Sequence, residues 1–224
     1  MKRQEVLQIA KPILFNTDMV RAILGGKKTV TRRICKDGND YTVPDMGFYD
    51  AEKRTYAVHN YADAEHTDKL SIAERSIPIC PGDILYVRET WSEIKNADGS
   101  HKRYVYKTTD TYPFGENGYI VRFNWHPSIH MPKEAARIFL RVTNVRLERL
   151  QDMTEEDALK EGVETGALFT DDETLEIPAL RRFQKLWNST IKKSDMDKYG
   201  WNENPYAWVI EFERLEMEVP GADV

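Results

Sequence analysis

AILGGKKTVTRR, residues 22–33, ends an apolar run on two glycines and then sets two lysines, two threonines and two arginines within seven positions. No buried apolar layer accepts that composition, so the segment is either a solvated turn entering a strand or the seat of a site. Upstream, Asn16, Thr17 and Asp18 offer N-cap side chains, and Met19, Val20, Ile23 and Leu24 follow at helical spacing. Gly25 and Gly26 stop that helix as C-cap glycines do, and residues 29–34 read as a strand.

Working outward, residues 36–76 show weak periodicity and many Asp, Asn and Tyr residues, and read as an irregular excursion. CPGDILYVRETW gives a Pro-Gly-Asp turn and a strand over 84–88, and KRYVYK alternates as a second strand over 102–107. WHPSIHMP, with two prolines, reads as a loop. ARIFLRVTNVRLERL puts Ile138, Leu140 and Val142 on one face and resumes with Val145 and Leu147, as in a strand interrupted at Thr143-Asn144; the arginine spacing also permits a helix. In MTEEDALKEGV, Thr154 and Asp157 form a capping box and Gly162 ends a short helix. IPALRRFQKLWNST spaces Leu180, Phe183, Leu186 and Trp187 helically, and YAWVIEFERL is a closing strand. With no repeat or linker, the pattern predicts one α+β domain over residues 1–224.

The chain has 224 residues with 41% hydrophobic and 31% charged side chains, which suits a globular protein. No run approaches the ~20 apolar residues of a membrane span, and polar residues break KRQEVLQIAKPILF too often for a signal-peptide core. Cys35 and Cys80 could pair, but reduced cysteines and a cytoplasmic location are the expectation. Net charge is −5, which argues against a generic nucleic-acid coat. Residues 1–36 nevertheless carry nine Lys/Arg against two Asp/Glu, whereas residues 151–224 carry eight against eighteen. The basic segment could serve an anion, or the acidic one could fold over it and neutralise it.

No phosphate-binding glycine fingerprint, nucleophile elbow or HExxH helix is present. His126 and His130 with Cys80 could be imagined around a metal, but prolines break that segment, so neither a metal nor a cofactor is expected. GGKKTVTRR remains. A desolvated Lys28 beside Lys27, Arg32 and Arg33 can lose its proton near neutrality and act as a base, and the Thr31 hydroxyl could be its nucleophile or hold a water. Residues three apart on a strand face opposite sides, which requires Lys28 to lie in the turn after Gly26.

GKKTVTR, followed by PGDILYV and WVIEFERL, resembles the ASCH family of the PUA-like superfamily, with its G-x-K-T-x-T-x-R motif, G-D-x-L-x-V strand and closing V-I-E-F strand. The whole chain is similar to longer ASCH-like proteins of bacteriophages and prophages, which would place it in a bacterial host's cytoplasm. The resemblance implies a small mixed β-barrel with flanking helices and insertions near 36–78, 108–135 and 163–205. It also implies a cleft for a modified nucleobase, nucleoside or nucleic acid, RNA rather than DNA.

Some compact members are hydrolases that remove the acyl group from acylated cytidine with a Lys, a Thr and a Glu. Lys28 and Thr31 match the first two, and MTEEDALKEGV resembles the L-T-E-x-x-A-x-x-E helix that places Glu161 in the third role. In that picture Lys28 is the base and Glu161 orients it and protonates the departing amine. Lys27, Arg32, Arg33 and Arg88 would hold phosphate or polarise a carbonyl, and Tyr86, Trp91 and Tyr104 would stack on bases. Strand aromatics such as these also commonly belong to the core. Two alternatives stand beside hydrolysis: a non-catalytic RNA- or DNA-binding module, and a phage accessory protein that binds a protein partner.

Overall fold

A computed structural model describes residues 2–36, 44–50, 55–60, 71–76, 79–96, 98–110, 123–169 and 174–216. The strands, in chain order, are β1 (Lys11–Leu14), β2 (Val30–Ile34), β3 (Pro44–Asp50), β4 (Thr55–Asn60), β5 (Ser71–Ser76), β6 (Ile84–Arg88), β7 (Trp91–Lys95), β8 (His101–Tyr106), β9 (Phe139–Arg149), β10 (Gly166–Phe169), β11 (Thr174–Ile177) and β12 (Tyr206–Leu215). The α-helices are α1 (Arg3–Ile9), α2 (Thr17–Leu24), α3 (Glu155–Lys160), α4 (Ala179–Thr190) and α5 (Met196–Tyr199). The fold is mixed α+β; among the described residues it has a five-stranded mixed sheet in the order β1-β6-β9-β12-β2 and three smaller sheets. Among the described residues the large sheet does not close into a barrel: β1 and β2 are its two ends. None of the described helices is long and apolar enough to cross a membrane.

The chain forms two compact units, one from residues 1–26, 83–141 and 213–224, the other from 27–82 and 142–212. The segments interleave, so no single cut in the sequence separates them. In the first unit β1 runs parallel to β6, and β6 pairs antiparallel with the start of β9. Val6, Ala10, Ile84, Tyr86, Met131, Ala135, Ala136 and Phe139 make its core, with Trp91, Tyr104 and Tyr106 packed against it. In the second unit β2 pairs antiparallel with β12, Thr31 opposite Ile210 and Val30 opposite Glu211. Its core gathers Leu150, Met153, Ala158, Ala179, Phe183, Trp187 and Ala207 around α3 and α4.

Local chemistry explains most boundaries. The Asn16 side chain accepts from Met19 N at 2.8 Å and starts α2. Gly26, at φ 70°, takes the left-handed conformation that turns the chain toward β2. Thr154 and Asp157 form the expected capping box on α3, and Gly162, at φ 81°, terminates it. Glu155 then accepts from the Ala179 and Leu180 amides, giving α4 a carboxylate cap after Pro178. The buried positions of β9 change phase between Val142 and Val145, as the Thr143-Asn144 interruption predicts, and the segment is a strand rather than a helix. Thr154→Ala, which deletes the hydroxyl that accepts from Asp157 N, is expected to cost ~1 kcal/mol in urea unfolding; an unchanged midpoint would show that the cap contributes nothing.

Residues 36–76 differ from expectation. Rather than an irregular excursion they contain β3, β4 and β5 in one antiparallel sheet, with Tyr56 opposite both Tyr49 and Arg75. These strands are defined by ladder pairing with one another, and the Asp- and Asn-rich sequence around them dilutes the period-two signal. The residues between these strands, including 61–70, lie outside the described set.

Candidate functional site

Lys28 is not in the turn after Gly26. It lies in extended backbone as an isolated antiparallel bridge partner of Glu161, and the next amide, Thr29 N, donates to Lys160 O at 2.9 Å. The lead into β2 is thus stitched to the C-terminal end of α3, where helical carbonyls lack intrahelical donors. Lys28 Nζ supplies one: it donates to Glu161 O at 2.9 Å, to Val30 O at 2.7 Å and to the Glu161 carboxylate at 2.5 Å. The two side chains are 0% and 3% exposed, so this ion pair is withdrawn from water.

Because Lys28 joins the strand period, Lys28 and Arg32, four apart, share a face. Arg32 Nη1 lies 3.4 Å from the second Glu161 oxygen, and Nη2 lies 3.4 Å from Glu148 and 3.7 Å from Asp157. Arg146 binds Glu148 in turn, and also Glu211. Lys27 stands outside with its ammonium exposed and paired to Glu164. Three cations of the basic segment, Lys27, Lys28 and Arg32, thus pair with carboxylates of residues 148–164, whereas Lys11 pairs with Asp83 and Arg21 with Asp18. Thr31, one position out of phase, is buried opposite Ile210 on β12. Strand alternation directs its side chain away from the Lys28 face.

The electrostatics follow from burial. Desolvation draws the Lys28 ammonium below its ordinary 10.5, the Glu161 charge and hydrogen bond resist, and Arg33 and Arg32 assist the lowering. Burial likewise lowers Arg33, opposed by Glu161. For Asp157, burial pushes the carboxyl up, but the Thr154 hydrogen bonds and the Arg32 and Arg146 charges bring it below the usual range. A proton held between Lys28 and Glu161 has a short path and little water to disperse into, which is what acid–base chemistry needs.

Arg88, Tyr86, Trp91 and Tyr104 belong to the other compact unit. Tyr86 is a core residue, 8% exposed. Trp91 packs edge-on to Tyr104, ring centroids 5.7 Å apart, and against His126 at 5.0 Å. Arg88 donates to Ile129 O, while Arg88 Nε and Trp91 Nε1 are buried without acceptors among the described residues. The same unit holds a buried carboxylate that the sequence did not single out: Glu89, gripped by Arg137 through Nε at 2.8 Å and Nη2 at 3.0 Å. Arg137 also lies over the Tyr106 ring, whose hydroxyl burial pushes up to about 12. Among the described residues no group of three or more His, Cys, Asp or Glu is arranged to hold a metal, and Cys35 and Cys80 are both buried.

Glu148, Arg146 and Glu211 also escaped the sequence reading. Their signal was the strand period: Arg146 and Glu148 stand two apart on β9, and Glu211 lies directly opposite Val30. Neither a protein-family model, nor a curated protein, nor a solved structure matches the chain.

Proposed function

We propose that Lys28 and Glu161 form an acid–base pair that hydrolyses the exocyclic amide of an acylated nucleobase or nucleoside of the acylated-cytidine type. The observation that carries it is the 2.5 Å contact between Lys28 Nζ and a Glu161 carboxylate oxygen at 0% and 3% exposure. It accords with the ASCH resemblance of the motifs around Lys28 and Glu161.

The proton balance closes within the pair. Transfer from Lys28 to Glu161 leaves a neutral amine and a carboxylic acid. The amine takes a proton from water as its oxygen bonds to the amide carbon, and the acid protonates the exocyclic nitrogen as the C–N bond breaks. The products are the free amine and a carboxylic acid, and the pair returns to ammonium and carboxylate. Water takes the nucleophile's place because Thr31 is out of phase with Lys28. Thr31→Val is therefore expected to keep turnover within a few-fold, whereas a nucleophile's loss costs several orders of magnitude; a collapse of that size would hand the attack to Thr31 Oγ1. The decisive assay is mass-spectrometric turnover of N-acylated cytosine nucleosides and short acylated RNA by the wild-type protein, with no turnover refuting the proposal.

A second proposal, a non-catalytic nucleic-acid or protein-binding module with Lys28 as a structural clamp, is favoured by one observation. Lys28 Nζ donates to three acceptors, the full complement of an ammonium. Binding of RNA that weakens steeply with salt, without hydrolysis, would select it.

A further inference from the structure

We infer that Arg32 is a catalytic residue of the same site, taking the carbonyl oxygen of the substrate amide on its Nε; this rests on the acid–base assignment of Lys28 and Glu161. The Arg32 side chain is 1% exposed, yet it is loosely held. Its contacts to Glu161 and Glu148 are 3.4 Å and that to Asp157 is 3.7 Å, all longer than the 2.7–2.9 Å of close charge-assisted hydrogen bonds. Arg32 Nε is buried and has no acceptor among the described residues. A guanidinium is a donor at every nitrogen and keeps its proton at any working pH, so Arg32 Nε can donate to an oxygen acceptor.

The position suits amide hydrolysis. Arg32 holds one oxygen of Glu161 and Lys28 holds the other, so the orphan donor stands beside the base and the acid together. When the water oxygen bonds to the amide carbon, the carbonyl electron pair moves onto oxygen. An N–H fixed in a dry site stabilises that oxyanion more than the neutral carbonyl before it. Collapse returns the pair to re-form C=O, the C–N bond breaks, and the amine leaves with the Glu161 proton; Arg32 gains and loses none. The sequence offers Arg32 together with Lys27, Arg33 and Arg88 for phosphate or a carbonyl, and the motif's fixed arginine is Arg33; the buried Nε is what singles out Arg32.

The test compares wild type and Arg32→Lys, which keeps the charge but removes the Nε donor, on an N-acylated cytosine nucleoside. Loss of one oxyanion donor is expected to lower kcat by about 10²–10³-fold with KM nearly unchanged. Affinity for a phosphonamidate mimic of the tetrahedral intermediate should fall by a similar factor, which a merely structural role would not produce. Should Arg32→Lys not fold, the arginine Nε–Hε resonances of wild type decide instead: one of them must shift downfield when the phosphonamidate binds. An active wild type with undiminished kcat in Arg32→Lys, or with no shifted Nε–Hε signal, overturns the Arg32 assignment alone and leaves a buried water as the acceptor. A wild type that hydrolyses nothing and ignores the phosphonamidate overturns the acid–base assignment, and this one with it.

Discussion

Lys28→Arg should abolish hydrolysis of an acylated cytosine nucleoside while leaving any nucleic-acid affinity within a few-fold. Guanidinium stays protonated at neutral pH, so the variant keeps the charge and loses the base, and acid–base assistance alone is worth on the order of 10²–10⁴-fold. The pH profile carries a matching sign. Burial holds Lys28 below its ordinary 10.5, and the chemistry needs the one proton that the pair shares, so in wild type the rate should fall as pH rises through the lowered value of Lys28, before 10.5 is reached. Glu161→Gln, which cannot accept or deliver the proton, should lose the same rate. Full activity in Lys28→Arg, confirmed as folded by its unfolding midpoint, would remove Lys28 from the chemistry.

The second large effect is on stability. Lys28→Met leaves the buried Glu161 with only the longer 3.4 Å contact to Arg32, and breaking a buried ion pair from one side costs about 3–5 kcal/mol. For a chain of this size each kcal/mol moves the melting temperature by about 2–4 °C. Lys28→Met/Glu161→Leu removes both charges and should recover most of the loss, because the desolvation of both groups disappears with them. Linkage gives a further signature. Since the folded-state value of Lys28 is lowered, the unfolded chain binds more protons between that value and 10.5, and wild-type stability gains from rising pH across that window. The gain should be absent in Lys28→Met. A single variant as stable as wild type would mean that Glu161 finds water or another cation at once.

Much of this arrangement was legible in residue order. The caps of α2 and α3 are local devices, written within four residues of each other, and Asn16, Thr154, Asp157 and Gly162 act as their types require. Strands β6 and β12 carry apolar runs dense enough to announce themselves. Glu161 is singled out only by the family resemblance, since no local rule joins it to a lysine 133 positions away. What escaped was set by pairing. The place of Lys28 depends on its bridge to Glu161, which moved it out of the turn and put Thr31 on the other face. Glu148 and Arg146 matter because β9 lies beside β12. The sheet of β3, β4 and β5 has no apolar signature of its own.

The interleaving of the two units bears on how the protein is made. A chain growing from the ribosome holds α2, β2, β6 and β9 long before residues 206–215 emerge, yet β12 is the strand that lies between β9 and β2. Until then each unit lacks a segment drawn from the far end of the sequence. Folding must therefore close loops of well over a hundred residues, the kind of non-local pairing that slows the search. In the folded sheet β12 covers one edge of β2 and one of β9, and an edge left open is a template for pairing with another chain.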